Sequence, residues 1–181
     1  MLVEPQHPGN VGAVARVMSN FGCDELLLVG GCEIDDDAKA RAKAGRPLLE
    51  TARRTTSLKE ALAEVPVSVA TSGIVPEGDN RWQRAPHPIQ ELAGLLDGRQ
   101  PALVFGRENH GLDRGELALC DLTIQVPTNP EHPVLNLSHA VGIVLYELFR
   151  NDVFLRPYRP DVIERQGIDL LVERIMEAVR E

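Results

Sequence analysis

The 181-residue sequence is long enough for one domain with a sizeable core, and its 43% apolar and 25% charged residues are typical of a globular protein. No apolar run reaches the roughly 20 residues of a bilayer span and no basic-then-apolar leader opens the chain, so we expect a cytoplasmic protein rather than a membrane protein. The formal net charge of -8 argues against a uniformly basic nucleic-acid-binding surface.

Short apolar runs alternate with helical patterns along residues 1–150, and this alternation predicts an α/β fold with a mainly parallel sheet flanked by helices. Runs that are apolar throughout fit strands covered on both faces, and they lie at 2–3, 26–29, 67–70, 102–105 and 122–126. Helical patterns lie at 37–44, 57–63, 88–96, 113–119 and 137–150. The last of these is apolar nearly all round, so we expect it to be buried.

The first helix is predicted from the clearest local signals in the chain. Asn10 suits the N-cap position, apolar residues follow at helical spacing, and Gly22 lies where a C-terminal glycine cap belongs. Gly9 and Gly12 also resemble the G-x-x-G loop of an RNA-binding domain, although neither a Lys-Ser/Thr pair nor a third glycine completes a nucleotide-binding motif. This loop by itself therefore identifies no ligand.

The cysteines indicate neither a disulfide framework nor a metal centre. Cys23, Cys32 and Cys120 are odd in number, far apart, and without a histidine at ligand spacing. We therefore expect buried or inert thiols and no bound metal.

Basic residues are concentrated in one stretch between the first and third predicted strands. Its members are Lys39, Arg41, Lys43, Arg46, Arg53 and Arg54. The simpler interpretation is a solvated helix face, and the alternative is a surface that contacts phosphate groups.

The composition changes near the C-terminus, after Arg156–Pro160. An amphipathic pattern at 161–180 predicts one further helix that needs a partner surface. We therefore divide the chain into a main domain at 1–156 and a helical tail at 157–181.

Three segments place glycine or asparagine where predicted strands give way to helices, and they lie at 9–16, 105–112 and 135–140. Such junctions leave backbone N–H and C=O groups unpaired, and ligands of α/β proteins collect at the carboxyl ends of strands. The second segment carries Glu108 between two glycines, and Asn136 begins the predicted helix of the third. One composite site is expected, although Glu108 alternatively caps the helix near Leu112 and Asn136 alternatively serves only as an N-cap.

These segments resemble the three signature motifs of the SpoU/TrmH branch of the SPOUT RNA methyltransferases, and most of all those of TrmJ-type tRNA ribose 2′-O-methyltransferases. The matching residues are Asn10 and Arg16 in N-x-G-x-x-x-R-x-x-x-x-F-G, Phe105-Gly106-x-Glu108-x-x-Gly111-Leu112, and Leu135-Asn136-Leu137-Ser138-x-Ala140. The resemblance covers about residues 1–150. It implies a deep trefoil knot in the C-terminal part of the sheet and a homodimer with the sites at its interface.

The resemblance further implies S-adenosylmethionine as the cofactor, bound by loops of the knot. Carried over to this sequence, the cofactor contacts are Thr71, Ser72, Gly73, Gly106, Val126, Pro133, Val134, Leu135, Asn136 and Leu137. Such loops supply the apolar walls and backbone hydrogen bonds that an adenine ring needs.

The catalytic group implied by the resemblance is Arg16, Asn10 and Glu108. Arg16 corresponds to the family's proposed base for the ribose hydroxyl. A guanidinium normally stays protonated in proteins, so an electrostatic role at the RNA phosphate and the developing alkoxide is equally open. Asn10 and Glu108 would then orient it.

One residue departs from the pattern of the family. Many relatives carry serine directly before the Leu-Asn pair of the third motif, whereas this chain has Val134. A side-chain hydroxyl at that point is therefore no part of the mechanism here, while backbone contacts to the cofactor remain available.

The expected reaction is methylation of a ribose 2′-hydroxyl at the first nucleotide of the tRNA anticodon loop. A single-stranded loop nucleotide enters a pocket at less cost than a paired one. The candidate phosphate contacts are Arg41, Lys43, Arg81 and Arg84. The alternatives are another tRNA site or ribosomal RNA, a catalytically silent RNA-binding module, and a different nucleotide-dependent α/β enzyme.

Overall fold

The structure, a computed structural model, describes residues 1–73 and 86–151. Its strands are β1 (Leu2–Val3), β2 (Leu27–Val29), β3 (Arg53–Thr55), β4 (Ser68–Ser72), β5 (His87–Pro88), β6 (Ala102–Val104) and β7 (Leu122–Gln125). Its helices are α1 (Pro8–Asn20), α2 (Asp36–Ala42), α3 (Arg46–Glu50), α4 (Leu58–Leu62), α5 (Leu92–Leu96), α6 (Arg114–Leu119) and α7 (Leu137–Arg150), with short 3₁₀ turns at Lys43–Gly45 and Ile89–Glu91. The predicted tail at 157–181 lies outside the described residues, as do Arg81 and Arg84.

The strands form two parallel sheets that meet edge to edge. One sheet has the order β1-β2-β3 and the other β5-β7-β4-β6. β1 lies beside β6, because the N–H of Val3 donates to the carbonyl of Phe105 at 2.8 Å and the N–H of Phe105 donates to the carbonyl of Met1 at 3.1 Å. The parallel α/β fold predicted from the alternation of strands and helices is therefore confirmed.

Alternate residues of each inner strand enter two different hydrophobic clusters, as the two-residue period of a strand requires. The cluster under α1, α2, α5 and α7 takes Leu2, Leu28, Val69 and Leu103. The cluster under α4 and α6 takes Val3, Val29, Ala70 and Val104. Helices therefore cover both faces of the sheet, which explains why the strand sequences are apolar throughout.

Three short elements were not predicted. The strand β3 is polar and exposed at Arg53 and Arg54, and it lies at an edge of its sheet, where no apolar run is needed. The strand β5 also lies at an edge and contains Pro88, which central strands avoid. Helix α3 starts with a proline in its first turn and is only five residues long. Since Arg53 and Arg54 lie on β3, the prediction of a single basic helix face is wrong for them.

The N-terminal boundary predicted for α1 is also wrong. The helix begins at Pro8 with His7 as its N-cap, because proline is well suited to the first turn, where its missing N–H costs nothing. Asn10 therefore lies inside the helix, and the sequence from Gly9 to Gly12 is not a loop. The predicted end is confirmed, since Gly22 follows the helix with a positive φ of 69°.

Helix α7 has the predicted bounds, but it is not buried all round. Ile143 and Tyr146 are 40% and 57% exposed on its outer side. The ring of Phe21, at the end of α1, packs edge-on against Tyr146 and Phe149. Among the described residues, no helix is long and apolar enough to span a bilayer.

Candidate functional site

A chain of side-chain hydrogen bonds joins the three sequence motifs. The Nδ2 of Asn10 donates to Oε1 of Glu108 at 2.9 Å, and the Nδ2 of Asn136 donates to Oδ1 of Asn10 at 3.1 Å. Asn136 in turn caps α7, because its Oδ1 accepts from the backbone N–H and the hydroxyl of Ser138. These three polar side chains, which we call the motif network, are up to 126 positions apart in sequence, and the fold brings them together as predicted.

Glu108 holds the start of α1 in place. Its carboxylate accepts hydrogen bonds from the backbone N–H groups of Gln6 at 2.9 Å and His7 at 3.1 Å, in addition to the one from Asn10. The alternative that Glu108 caps the following helix is wrong, because Asp113 caps α6 in a capping box with Glu116. The interpretation of Asn136 as an N-cap is confirmed, and this residue contacts Asn10 as well.

The surroundings of Glu108 favour its ionised form. Partial burial raises the pKa of the carboxyl group, but the hydrogen bonds from Asn10 and from the N–H groups of Gln6 and His7 outweigh it and lower the pKa below its ordinary value of 4.5. At neutral pH Glu108 is therefore a carboxylate that already accepts three hydrogen bonds. It is better placed to fix Asn10 than to take up a proton.

We expect Glu108→Gln to destabilise the protein in a pH-dependent way. Since folding lowers the pKa of Glu108, its contribution to the free energy of unfolding is complete above about pH 4.5 and is lost as the pH falls through the lower, folded-state pKa. Urea denaturation of both proteins between about pH 3 and pH 7 measures this. The difference between wild type and variant should shrink at the acidic end, and a difference independent of pH would contradict the assignment.

Arg107 fixes the loop that carries Glu108. Its guanidinium donates to Oε2 of Glu4 at 2.8 Å and to both carboxylate oxygens of Glu116 at 2.9 and 3.0 Å. These bonds raise the pKa of Arg107, so it stays charged. The side chains of Arg107 and Glu116 are only 11% and 15% exposed, so this pair links the loop to α6 with little screening by water. The ion pair with Glu4, which follows β1, is more exposed.

A cleft opens beside the motif network at the carboxyl ends of β4, β6 and β7. All the predicted cofactor residues except Asn136 line it, namely Thr71, Ser72, Gly73, Gly106, Val126, Pro133, Val134, Leu135 and Leu137. Glu108 lines it too, so the motif network forms part of its wall. Thr71 is held in place by a hydrogen bond from its hydroxyl to the carbonyl of Val104.

Gly106 allows the loop after β6 to fold back on itself. A Cβ atom at this position would lie 2.1 Å from the carbonyl carbon of Gly111 and 2.3 Å from the backbone nitrogen of Leu112. The loop is closed by backbone hydrogen bonds between Arg107 and Gly111 in both directions. Only glycine fits at 106, and this requirement shapes the wall of the cleft.

Arg16 does not join the motif network. Its side chain is exposed, and it makes no hydrogen bond or ion pair with any residue in 1–73 or 86–151. It lies six positions after Asn10, which puts it about 9 Å further along α1 and about 120° around the helix axis. Within one copy of the chain, the predicted catalytic residues therefore form two separate groups.

The cysteines lie away from the cleft, and burial makes their thiols poor nucleophiles. It raises the pKa of Cys23 and of Cys120 to about 11. In the part of the chain that the structure describes, no group of three or more His, Cys, Asp or Glu side chains is arranged to hold a metal ion.

Comparison with known proteins identifies similar chains. The family model of the SpoU rRNA methylases matches residues 1–146. The chain is 40% identical over 152 residues to the tRNA (cytidine-2'-O-)-methyltransferase TrmJ of Sulfolobus acidocaldarius, covering 83% of this chain and 64% of that protein. It is 40% identical over 156 residues to the enzyme of the same name from Methanocaldococcus jannaschii, covering 84% of this chain and 67% of that protein. The chain thus spans about two thirds of the length of these relatives.

A solved structure that bears on the cleft is that of the SpoU methyltransferase AviRb from Streptomyces viridochromogenes in complex with the cofactor AdoMet. The two chains are 26% identical and superpose with a TM-score of 0.65, covering 84% of this chain and 59% of AviRb.

Proposed function

The chain belongs to the SpoU rRNA methylase family, and on this basis we propose that it transfers a methyl group from S-adenosylmethionine to a ribose 2′-hydroxyl of tRNA. The observation that carries the proposal is the motif network, which joins Asn10, Glu108 and Asn136 beside a cleft. Relatives with 40% identity bear the name of a tRNA 2′-O-methyltransferase, which supports the same reaction.

The cleft suits S-adenosylmethionine. Val126, Leu135 and Leu137 provide apolar surface for an adenine ring, and the loops at 71–73 and 106 bring backbone groups to the same place. When bound, the cofactor supplies a methyl group on a positively charged sulfur, which is already a good electrophile. The protein is left with the tasks of alignment and charge placement.

In this proposal the motif network is a rigid wall of the site and Arg16 is the residue that meets the RNA. Glu108 keeps Asn10 in one orientation, and Asn10 is bonded to Asn136 at the start of α7. The charged guanidinium of Arg16 would stabilise the negative charge that develops on the ribose oxygen as solvent water takes up the proton of the 2′-hydroxyl. The ribose oxygen gains the methyl group as the sulfur loses it.

The distance of Arg16 from the network of its own chain supports a site that is completed by a second copy. A two-fold dimer in which Arg16 of one copy approaches the cleft of the other would reunite the predicted catalytic group. Ile143 and Tyr146, exposed on α7 and backed by Phe21, offer apolar surface for such an interface.

We expect light scattering to give twice the chain mass of 19.9 kDa. Tyr146→Glu, which puts a charge on the exposed apolar face, should shift the protein towards monomer and lower methyl transfer in parallel. Glu131→Gln, on an exposed turn, serves as the control and should remain dimeric. A wild-type monomer at micromolar concentration that still methylates RNA would refute the shared site.

The proposed target is the first nucleotide of the tRNA anticodon loop. A loop nucleotide can be turned into a pocket cheaply, and the names of the two relatives favour cytidine there. A tRNA substrate also implies the cytoplasm as the compartment in which the protein works.

A deep trefoil knot formed by the chain from β4 to α7 is part of the same proposal. Family membership supports it. An experimental structure of the protein with bound cofactor tests the knot, through the path of the chain between 102 and 150.

Titration calorimetry with S-adenosylmethionine tests the cofactor proposal. Saturable binding at one site per chain is expected. A catalytically silent RNA-binding module would bind tRNA and give no heat with the cofactor, and that result would overturn the enzyme assignment.

A further inference from the structure

The lysine and arginine side chains of the described residues differ in whether an acidic partner neutralises them. Between α2 and β4 most are paired: Lys39 with Asp36, Arg41 with Asp37, Arg53 with Glu64, and Arg54 with Glu33. Lys43 and Arg46 are exposed and, like Arg16, Lys59 and Arg114, have no side-chain hydrogen bond or ion pair within 1–73 and 86–151.

Three of these cations, Arg16, Lys43 and Arg46, lie on one part of the surface. Gly45 is buried against α1, where a Cβ atom would come within 2.2 Å of the carbonyl oxygen of Ala15 and 2.7 Å of the backbone nitrogen of Arg16. Lys43 and Arg46 flank Gly45 in sequence, so they are held next to the helical turn that carries Arg16. We call Arg16, Lys43 and Arg46 the Lys43 patch.

The backbone at Lys43 is strained. Its φ of 50° and ψ of -116° belong to a conformation that residues other than glycine rarely adopt. Glu4 also has a positive φ, and an ion pair with Arg107 holds it in place. Lys43 makes no ion pair or side-chain hydrogen bond in the described part of the chain. Strain at an exposed, unpaired, charged residue is typical of a position kept for contact with a ligand.

We propose that Lys43 and Arg46 of the Lys43 patch bind phosphate groups of the RNA strand next to the target nucleotide. This inference rests on the proposed function, in which Arg16 acts at the reacting ribose. Lys43 and Arg46, held beside the turn of Arg16, would then meet the flanking phosphates. The ammonium group of Lys43 would act as a point charge, and the guanidinium of Arg46 could donate two parallel hydrogen bonds. Arg41, predicted as a phosphate contact, already has Asp37 at 2.9 Å and takes no part.

The test compares the salt dependence of tRNA binding among variants of the full chain. Lys43→Gln and Arg46→Gln should each weaken binding of an unmodified tRNA transcript several-fold at about 0.15 M salt and reduce the slope of log K against log salt concentration by about 0.7–0.9. Lys39→Gln is the matched control, since it removes an exposed but paired lysine from the neighbouring helix and should change neither quantity. At saturating tRNA, the kcat of the two patch variants should stay near wild type while KM rises.

Lys43→Gly separates binding from folding. Glycine adopts the backbone conformation of residue 43 without strain, so the variant should not melt below wild type, yet it should bind tRNA as weakly as Lys43→Gln. The proposal for the Lys43 patch would be overturned, and the proposed function would stand, if the unsubstituted protein binds and methylates tRNA while Lys43→Gln and Arg46→Gln show the same salt dependence of tRNA binding as the wild type. If the unsubstituted protein neither binds nor methylates RNA, the proposed function fails with it.

Discussion

Replacing Arg16 by alanine should lower methyl transfer at least a hundredfold and leave the affinity for S-adenosylmethionine within a few-fold of wild type. The loss follows because a preorganised charge at a developing oxyanion typically contributes about 10²–10³ to the rate. The affinity survives because Arg16 lies outside the cleft and outside the motif network of its own chain. Calorimetry, beside an assay with a tritiated methyl donor, measures both quantities.

The variant Arg16→Lys distinguishes the two roles left open for this residue. A lysine keeps the positive charge, so partial recovery with an unchanged pH profile indicates electrostatic stabilisation. If residue 16 is the base, Arg16→Lys should instead shift the pH profile, since the ordinary pKa of lysine, about 10.4, is well below that of arginine. Full activity in Arg16→Ala would remove Arg16 from the catalytic group.

Replacing Gly106 by alanine should disable the cleft. The added methyl group would meet the backbone of Gly111 and Leu112 at 2.1–2.4 Å, and backbone atoms in a closed loop cannot move aside independently. The loop must shift, and Glu108 and one wall of the cleft move with it. We expect the free energy of unfolding to fall by about 1–3 kcal/mol and the affinity for S-adenosylmethionine to fall at least tenfold.

Gly94→Ala is the matched control for Gly106→Ala. Gly94 lies in α5, where nothing comes within 4 Å of an added Cβ atom, and alanine is favoured over glycine in a helix by about 0.5–1 kcal/mol. This variant should be at least as stable as wild type and fully active. A Gly106→Ala protein that binds the cofactor as tightly as wild type would show that the loop has another way to accommodate the side chain.

The fold was largely predictable because its signals are local. Strands buried on both faces must be apolar throughout, and α7 was predicted with the bounds it has. The unpredicted elements β3, β5 and α3 form because of their positions in the fold and not because of a local sequence pattern. The strand β3 pairs with β2 at an edge, so nothing in Arg53–Thr55 had to be apolar.

The site was predictable as a set of residues but not as a geometry. The motifs identified Asn10, Glu108 and Asn136, yet the hydrogen bonds among them join residues 98 and 126 positions apart, which no sequence spacing encodes. Asn10 was misassigned as a cap because its side chain bonds across the fold instead of to its own helix. Arg107 had one available signal, its position directly beside Glu108, but its partners Glu4 and Glu116 depend on how the loop folds back.

The methyl acceptor is identified by incubating the protein and S-adenosylmethionine with unmodified tRNA transcripts and mapping the product by nuclease digestion and mass spectrometry. We expect one ribose 2′-O-methyl group, at the first nucleotide of the anticodon loop, and none with Arg16→Ala. Methylation of another tRNA ribose, or of ribosomal RNA only, would agree with the proposed reaction but contradict the proposed target nucleotide. A methyl group on a base instead of a ribose would contradict the assignment of the reaction itself.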